Sequence, residues 1–294
     1  MRVPVGPAFT PGVLGLATAL IWIVEVAGQS APRRIVSLVP AVTEMVFALG
    51  AGDRVVGVSN FDKFPPEVTK IAQVGALLDP NLDRILSLKP DLVVVYYSQT
   101  DLQTQLQRAT VASFSYKHAG LADVTDTLRA VGARIGRAEQ ARAIATEIES
   151  KIAALRKRYA SGARPKTLVV FGRENFALRG IYASGGRGFV HDMLTVAGGE
   201  NVFADVDREA VQATTELILA RRPEVIIELR ADPMTAEAER KEVMTWNQLA
   251  SLPAVRAKRV HIITDPRTVI PGPRVVDGVE IIAERLHQQV ATKY

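Results

Sequence analysis

The residues AEQARAIATEIESKIAALRKRYA, numbered 138–160, lie near the middle of the chain and decide its fold. Their apolar side chains recur at spacings of three and four positions, the period of one helix face: Ala141, Ile144, Ile148, Ile152, Leu155 and Tyr159. The stretch contains no Pro or Gly, and Gly162 and Pro165 follow it, so the pattern predicts one amphipathic helix that is roughly 30 Å long. We expect this helix to connect an N-terminal lobe over 33–137 with a C-terminal lobe over 165–294.

Two segments on either side of this helix repeat one another. NLDRILSLKPDLVVVY (81–96) precedes it and TTELILARRPEVIIEL (214–229) follows it. In each segment an acid, Asp83 or Glu216, stands seven positions before a proline, and a strand-like apolar run follows that proline. Helix, proline and strand also recur by chance in α/β proteins, but the agreement in order, charge and spacing favours a duplication.

A second pair of acids supports the same interpretation. Glu44 begins EMVFALGAGDRVVG and Asp192 begins DMLTVAGGENVF, so each acid precedes a short apolar run that ends at Gly and leads into a Val-containing turn. The two lobes are therefore predicted to be related in fold.

Strands and helices alternate in the N-terminal lobe. The pattern predicts strands over 35–38, 55–58 and 92–95, a turn at Pro40, and a helix over 43–49 that Thr43 caps. Such alternation is typical of a parallel sheet with helices on both faces. The predicted fold class is α/β, with two Rossmann-like lobes, each a mainly parallel central sheet flanked by helices, joined by one long rigid helix.

The composition is that of a globular protein. The chain has 294 residues, 48% hydrophobic and 23% charged, with a net charge of +5. Its basic residues are scattered, without runs or interleaved aromatic residues, so we expect no nucleic-acid partner. The chain has no cysteine, which predicts neither a disulfide nor a lipid anchor, and the spacing of its four histidines predicts no metal bound by the protein itself.

Residues 1–28 have the pattern of a secretory signal peptide. Arg2 precedes an apolar run over 13–24 that is short for a membrane span, and small residues end at Gly28. Three prolines and Glu25 are atypical of a signal, so an uncleaved anchor is the alternative. We expect a secreted, soluble and monomeric protein in the periplasm.

Several motifs together resemble one protein family. SLVPAVTE (37–44), QVG (73–75), VAGGENVF (196–203) and VIPGPRVVDGVEIIAERL (269–286), with the central helix, resemble the substrate-binding proteins of ABC importers whose lobes are joined by one rigid helix. The resemblance extends over 33–289. It implies a ligand in the cleft between the lobes, no covalently bound cofactor, and delivery to a dimeric membrane permease. The cobalamin-binding members are the most similar, and binding of a ferric siderophore or haem is the alternative.

The repeat places one acid at an equivalent position in each lobe. Asp83 and Glu216 could each bind an arginine of a dimeric partner through a charge-assisted pair. The resemblance implies the same contact, although family members use a glutamate where this chain has the shorter Asp83. Both acids could instead stabilise helix N-termini, and the two roles are compatible.

Candidate ligand contacts lie on loops at predicted strand ends, facing the opposite lobe. In the N-terminal lobe they are Phe61, Lys63, Leu77, Tyr96 and Tyr97; in the C-terminal lobe they are Arg173, Arg179, Tyr182, Arg267 and Arg274. Four arginines with several aromatic rings suggest an anionic or carboxylate-bearing ligand with a flat apolar part.

Three positions depart from the family pattern. Haem-binding relatives usually have a ligating tyrosine directly after QVG, where this chain has Ala76. Cobalamin-binding relatives tend to have tryptophans near Leu77 and near Ala210, and both are aliphatic here. The resemblance therefore disfavours haem and implies a corrinoid or ferric chelate held without the usual aromatic clamp.

An enzyme is the competing class of function. The segment SGGRGF (184–189) precedes a predicted helix and could bind a phosphate through its backbone amides, in a secreted enzyme with two Rossmann-like lobes. No GxSxG motif and no supported pair of acids accompanies it, so we predict no catalytic residue.

Overall fold

A computed structural model of the chain describes residues 31–117, 119–230 and 232–288. The predicted signal segment, residues 1–28, lies outside the described residues. The described residues from Ala31 onward belong to one compact unit.

The N-terminal lobe is built on a five-stranded parallel sheet in the order β3-β2-β1-β4-β5. Its strands are β1 (Ile35–Ser37), β2 (Val55–Val58), β3 (Ala72–Gln73), β4 (Leu92–Tyr96) and β5 (Ala112–Tyr116). Its helices are α1 (Pro40–Ala48), α2 (Leu82–Ser87), α3 (Thr100–Arg108) and α4 (Ala122–Arg134). The parallel α/β arrangement predicted from the alternation is confirmed.

The start of α1 differs from the prediction. The helix begins at Pro40, and Val39 rather than Thr43 is its N-cap residue. A proline fits the first position of a helix because its missing N–H would have no intrahelical partner there. Thr43 lies inside the helix, and its hydroxyl donates to the Val39 carbonyl at 3.2 Å. The predicted turn at Pro40 and the predicted cap at Thr43 are therefore wrong.

The central helix α5 spans Ala138–Arg158, close to the predicted 138–160. The C-terminal lobe that follows has strands β6 (Lys166–Gly172), β7 (Ile181–Ser184), β8 (Glu200–Asn201), β9 (Ala210–Ala213), β10 (Val225–Leu229) and β11 (Val260–Ile263). Its helices are α6 (Phe189–Val196), α7 (Thr215–Arg221), α8 (Ala236–Thr245), α9 (Pro253–Arg256) and α10 (Val275–His287). Short 3₁₀ helices occur at Gly52–Arg54, Pro66–Lys70, Trp246–Leu249 and Pro266–Thr268.

The sheet of the C-terminal lobe is mixed. Its order is β11-β10-β6-β7-β9, with β8 beside β6. Strands β6, β10 and β11 are parallel, whereas β7 is antiparallel to both β6 and β9. The two lobes thus share a parallel central unit, and the C-terminal lobe adds an antiparallel strand to it.

The two lobes share one apolar core. Val42 of α1, Leu128 of α4, Ile148 of α5, Met193 of α6 and Val279 of α10 are all buried in a single cluster. A separate buried cluster lies on the other face of each sheet. Because α5 packs into the shared cluster rather than standing free between two bodies, relative motion of the lobes would disrupt buried contacts.

Candidate ligand-binding cleft

The predicted contact residues gather at the carboxyl ends of parallel strands. In the N-terminal lobe, the loops after β2, β3 and β4 carry them, and in the C-terminal lobe the segments after β6 and β11 do. Tyr182 of β7 pairs with Gly172, the last residue of β6, so it also lies at this edge. Open α/β sheets bind ligands outside the carboxyl ends of their strands.

Large apolar side chains are exposed along this edge. Among the described residues, the exposed large hydrophobic side chains are Phe61, Phe64, Leu77, Leu78, Tyr97, Phe176, Tyr182 and Met244. All except Met244, which is in α8, follow a strand end or lie in β7 at this edge. Exposed apolar groups concentrated on one edge mark a binding surface rather than scattered surface residues.

Gln99 fixes two of the predicted contacts relative to each other. Its side-chain amide donates to the Leu77 carbonyl at 3.1 Å, and its side-chain oxygen accepts from the Tyr96 backbone N–H at 2.9 Å. Gly75 has φ +93°, and a side chain there would collide with the Asp79 carbonyl, so the QVG turn requires glycine. The loop that presents Leu77 is therefore held in place.

Three tyrosines and a lysine lie together at the carboxyl ends of β4 and β5. Tyr96 meets Tyr116 edge to face, with ring centroids 5.9 Å apart, and burial raises the pKa of both phenols. Tyr97 is exposed, and the Lys117 ammonium lies 5.5 Å from its ring centroid. This pair exposes a flat ring and a positive charge to solvent at the carboxyl edge of the sheet.

Arg173 is not at the surface. Its side chain is fully buried and binds Glu228 at 2.9 Å and Glu242 at 2.7 Å. Arg230 binds the other oxygen of Glu228 at 2.9 Å, and the Trp246 indole N–H donates to Glu228. Two guanidinium groups and two carboxylates therefore form a neutral buried cluster under the carboxyl edge. The buried Arg173 side chain is therefore not available to a ligand at the surface, and the prediction of a ligand contact at Arg173 is not supported.

Arg179 and Arg267 are more exposed, and each is paired with an acid. Arg179 binds Glu174 at 2.7 Å. Arg267 binds Asp265 at 2.7 Å and Asp277 at 3.3 Å. The hydrogen bond from Arg267 lowers the pKa of the Asp265 carboxyl.

Arg274 reaches from the C-terminal lobe to the N-terminal lobe. Its guanidinium donates to both oxygens of Glu44, at 2.9 and 2.6 Å, and lies 3.7 Å from the centroid of the Phe64 ring. All four predicted arginines thus have carboxylate partners. None of the four is therefore an unpaired cation for the predicted anionic ligand.

A buried acid lies beneath the N-terminal loops. Asp62 is 5% exposed, and its Oδ2 accepts from the Ser59 N–H at 2.9 Å. Burial raises the pKa of Asp62 to about 6, and the charge of Glu44 adds to this rise, whereas hydrogen bonds with Thr43 and Ser59 oppose it. The loop that carries Phe61 and Phe64 is therefore anchored by a carboxyl group that titrates above its ordinary range.

The repeated acids Asp83 and Glu216 occupy equivalent positions. Each is the second residue of its helix, α2 or α7, and each is exposed. The Asn81 side chain accepts a hydrogen bond from the Arg84 backbone N–H, and the Thr214 side chain accepts one from the Leu217 backbone N–H, so these two residues cap the helices. Capping is thus supplied by the preceding residues, and the carboxylates are left at the surface.

Sequence reasoning missed three side chains at this edge. Phe64 and Phe176 belong to the same exposed apolar set as the predicted aromatic contacts, and Arg230 directly follows β10 with a partly exposed side chain. The phenylalanines could have been found from their positions after predicted strands. Arg230 was signalled by Glu228, a charge inside an apolar strand, which implies a nearby counter-charge.

Two backbone amides of the glycine segment 184–189 are hydrogen-bonded within the chain. The N–H groups of Gly185 and Gly186 donate to the carbonyls of Glu209 and Val206.

Within the described ranges, no group of three His, Asp or Glu side chains could hold a metal ion, and no helix there is long and apolar enough to span a membrane.

Comparisons with known proteins agree with this architecture. The profile of the periplasmic binding protein family matches residues 35–266. A vitamin B12-binding protein of Salmonella typhimurium is 35% identical over 215 residues, 72% of this chain and 76% of that protein. An uncharacterized ABC transporter substrate-binding lipoprotein of Bacillus subtilis, YvrC, is 30% identical over 268 residues, 90% of this chain and 82% of that one. The structure of the periplasmic heme-binding protein RhuT from Roseiflexus sp. superposes with a TM-score of 0.74 at 26% identity, covering 87% of this chain and 98% of that one.

Proposed function

We propose that this chain, which belongs to the periplasmic binding protein family, is the extracytoplasmic substrate-binding component of an ABC importer. It captures a metal chelate at the carboxyl edges of its two sheets and delivers the chelate to a membrane permease. The observation that carries this proposal is the set of exposed aromatic and aliphatic side chains on both lobes at that edge. Binding rather than catalysis is the proposed role, in keeping with relatives that are binding proteins.

The proposed ligand is cobalamin or another corrinoid. A relative that is 35% identical is a vitamin B12-binding protein. The periphery of a corrinoid carries mostly neutral amides, which suits an edge where the predicted arginines are already paired with acids. Haem differs from a corrinoid in carrying two carboxylates and an iron that binds an axial ligand from the protein. Ala76, the buried residue directly after QVG, has no side-chain atom that could be this ligand.

The contacts proposed for this ligand are those that remain exposed or half-buried at the edge. They are Phe61, Lys63, Leu77, Tyr96, Tyr97, Arg179, Tyr182 and Arg267, together with Phe64. Arg274 is also half-buried, but Glu44 and the Phe64 ring hold its guanidinium, so it is not proposed as a direct contact. Aromatic rings from both lobes would cover the faces of a flat macrocycle, while the paired arginines would still offer N–H donors to its amides.

Asp83 and Glu216 are proposed to dock the protein on its permease. Both acids are exposed at the N-termini of helices that return from the carboxyl edge, so they lie at the same edge as the ligand. A permease that meets this edge would face both the acids and the cleft. We further propose that the protein works as a monomer in the periplasm, with residues 1–28 as its export signal.

Titration of the purified full chain with cyanocobalamin, haemin and a ferric hydroxamate tests the proposed ligand. We expect cyanocobalamin to quench the tyrosine and tryptophan fluorescence with saturation and to bind more tightly than haemin. Tyr97→Ala and Tyr182→Ala should each weaken binding by about tenfold without changing the thermal midpoint, because both rings are more than half exposed. The proposal would be contradicted if none of the three chelates bound. It would also be contradicted if haemin bound tightly with a tyrosinate spectrum.

A further inference from the structure

The second pair of repeated acids connects the lobes. Glu44 in α1 binds Arg274, the N-cap residue of α10. Asp192 in α6 accepts the backbone N–H of Leu121, the N-cap residue of α4, at 2.8 Å. Each acid thus lies in the first helix of its own lobe and is hydrogen-bonded to the N-cap residue of the last helix of the opposite lobe.

Glycines make room for both acids. A Cβ atom on Gly272 would lie 3.0 Å from a Glu44 oxygen, and one on Gly120 would lie 2.8 Å from an Asp192 oxygen. Both distances are too short for an ordinary carbon–oxygen contact. The same arrangement of acid, glycine and helix start therefore occurs twice, once in each direction across the lobes.

The two contacts differ in what lies beyond them. Asp192 binds a backbone amide, whereas Glu44 binds a side chain that has a second neighbour, since the Arg274 guanidinium lies 3.7 Å from the Phe64 ring centroid. Glu44 is almost fully buried, and its two hydrogen bonds hold the guanidinium in one orientation. Phe64 remains 39% exposed on the loop that also carries Phe61 and Lys63.

We propose that Glu44 and Arg274 are positioning residues that hold the Phe64 ring as one wall of the ligand cleft, an inference that rests on the proposed function. Glu44 orients Arg274, Arg274 stacks on Phe64, and Phe64 contacts the ligand. A role limited to joining the lobes would make Glu44 equivalent to Asp192. The positioning role makes the two acids different, because only Glu44 is connected to an exposed aromatic ring.

The first test needs no ligand. With 4-fluorophenylalanine at position 64 of the full chain, ¹⁹F NMR should show one resonance that differs from that of the same label at position 61, where the side chain is 67% exposed. Arg274→Lys and Glu44→Gln should move the position 64 resonance toward the position 61 value, whereas Asp192→Asn should leave it in place. An unchanged resonance in Arg274→Lys would overturn the proposal.

The second test measures binding of cyanocobalamin. The Kd should rise roughly tenfold in each of the single variants Arg274→Lys, Glu44→Gln and Phe64→Leu. The double variant Arg274→Lys/Phe64→Leu should have a Kd no higher than that of either single variant, because both changes remove the same positioned ring. Asp192→Asn, the matched control, should stay within about twofold of wild type. Additive losses, or a wild-type Kd in Arg274→Lys, would overturn the role in capture. A wild-type chain that binds none of the three chelates would contradict the proposed function, and the ¹⁹F result would still decide whether Arg274 fixes the ring.

Discussion

Arg173 and Arg179 lie six positions apart in the C-terminal lobe and have opposite surroundings. The Arg173 side chain is fully buried between two glutamates, whereas the side chains of Arg179 and Glu174 are 76% and 53% exposed. Removing one member of a buried ion pair leaves an uncompensated charge, while an exposed pair contributes little because water screens it. Burial rather than charge therefore decides what each arginine contributes to stability.

We predict that Arg173→Met lowers the free energy of unfolding by about 3–5 kcal/mol, because Glu228 and Glu242 would then share only Arg230 as a counter-charge. Arg179→Met, the matched control, should change it by less than about 1 kcal/mol. Urea unfolding of both variants, followed by circular dichroism, measures the difference. Equal effects of the two substitutions would show that the Arg173 cluster does not stabilise the fold.

Asp62 gives stability a pH dependence of definite sign. Because burial raises its pKa from the ordinary 3.8 to about 6, the folded state binds a proton more tightly than the unfolded state between these pH values. The folded state therefore loses stability as the pH rises through this window, by at most about 3 kcal/mol. We predict that Asp62→Asn is more stable than wild type above pH 6.5 and that this advantage disappears near pH 4. Thermal unfolding of both proteins across this range gives the difference curve, and a constant offset at every pH would contradict the assignment.

At the scale of the elements, periodicity and composition were the most informative signals. The helix over 138–160 and the strand over 55–58 were predicted to within two residues, because a long amphipathic stripe and a β-branched run each have one favourable structure. The prediction of a turn at Pro40 misplaces the start of α1, because proline also suits the first position of a helix. Strands β7 and β9 gave too short a pattern to reveal their antiparallel pairing.

The candidate site was predictable only in part, for a physical reason. The positions of Tyr97 and Phe61 at the carboxyl edge were predictable because strand ends can be located from local patterns, and both side chains are exposed there. The pairing of Arg173 with Glu228 joins positions 55 residues apart, and that of Arg274 with Glu44 joins positions 230 apart. Local patterns contain no information on these two distant partners. The acids that pair with Arg179 and Arg267, in contrast, lie five and two positions away and are visible in the sequence.

At the scale of the whole molecule, the two α/β lobes each place one exposed acid and several exposed apolar side chains at the carboxyl edge of their sheet. In parallel α/β sheets a helix that returns between strands begins at the carboxyl edge, and α2 and α7 both begin with Asp83 or Glu216 in their first turn. Asp83 is also close in sequence to the candidate contact Leu77, because the loop that carries Leu77 leads directly into α2. The proposed capture and docking sites therefore lie at the same carboxyl edges, and substitutions are needed to separate the two proposed roles.

We predict that Asp83→Lys/Glu216→Lys retains the affinity for cyanocobalamin to within about threefold and abolishes transport. Each reversed charge would remove a paired contact with a permease arginine, at a cost of roughly 2–5 kcal/mol, or about thirtyfold to several-thousandfold in affinity for the permease. Asp101→Lys/Glu237→Lys is the matched control, because these exposed acids are the second residues of α3 and α8, the next helices of the same two lobes. Transport is measured with the cognate importer reconstituted in vesicles, and ligand affinity by titration of each purified variant. If the acids only favour their helix N-termini, both double variants should be slightly destabilised and both should transport. Glu237→Lys also breaks the ion pair with Lys241, so the control variant should be at least as destabilised as the test variant. Full transport by the folded Asp83→Lys/Glu216→Lys protein would exclude the docking role, and a loss of cyanocobalamin affinity in that variant alone would move the two acids from the docking surface into the cleft.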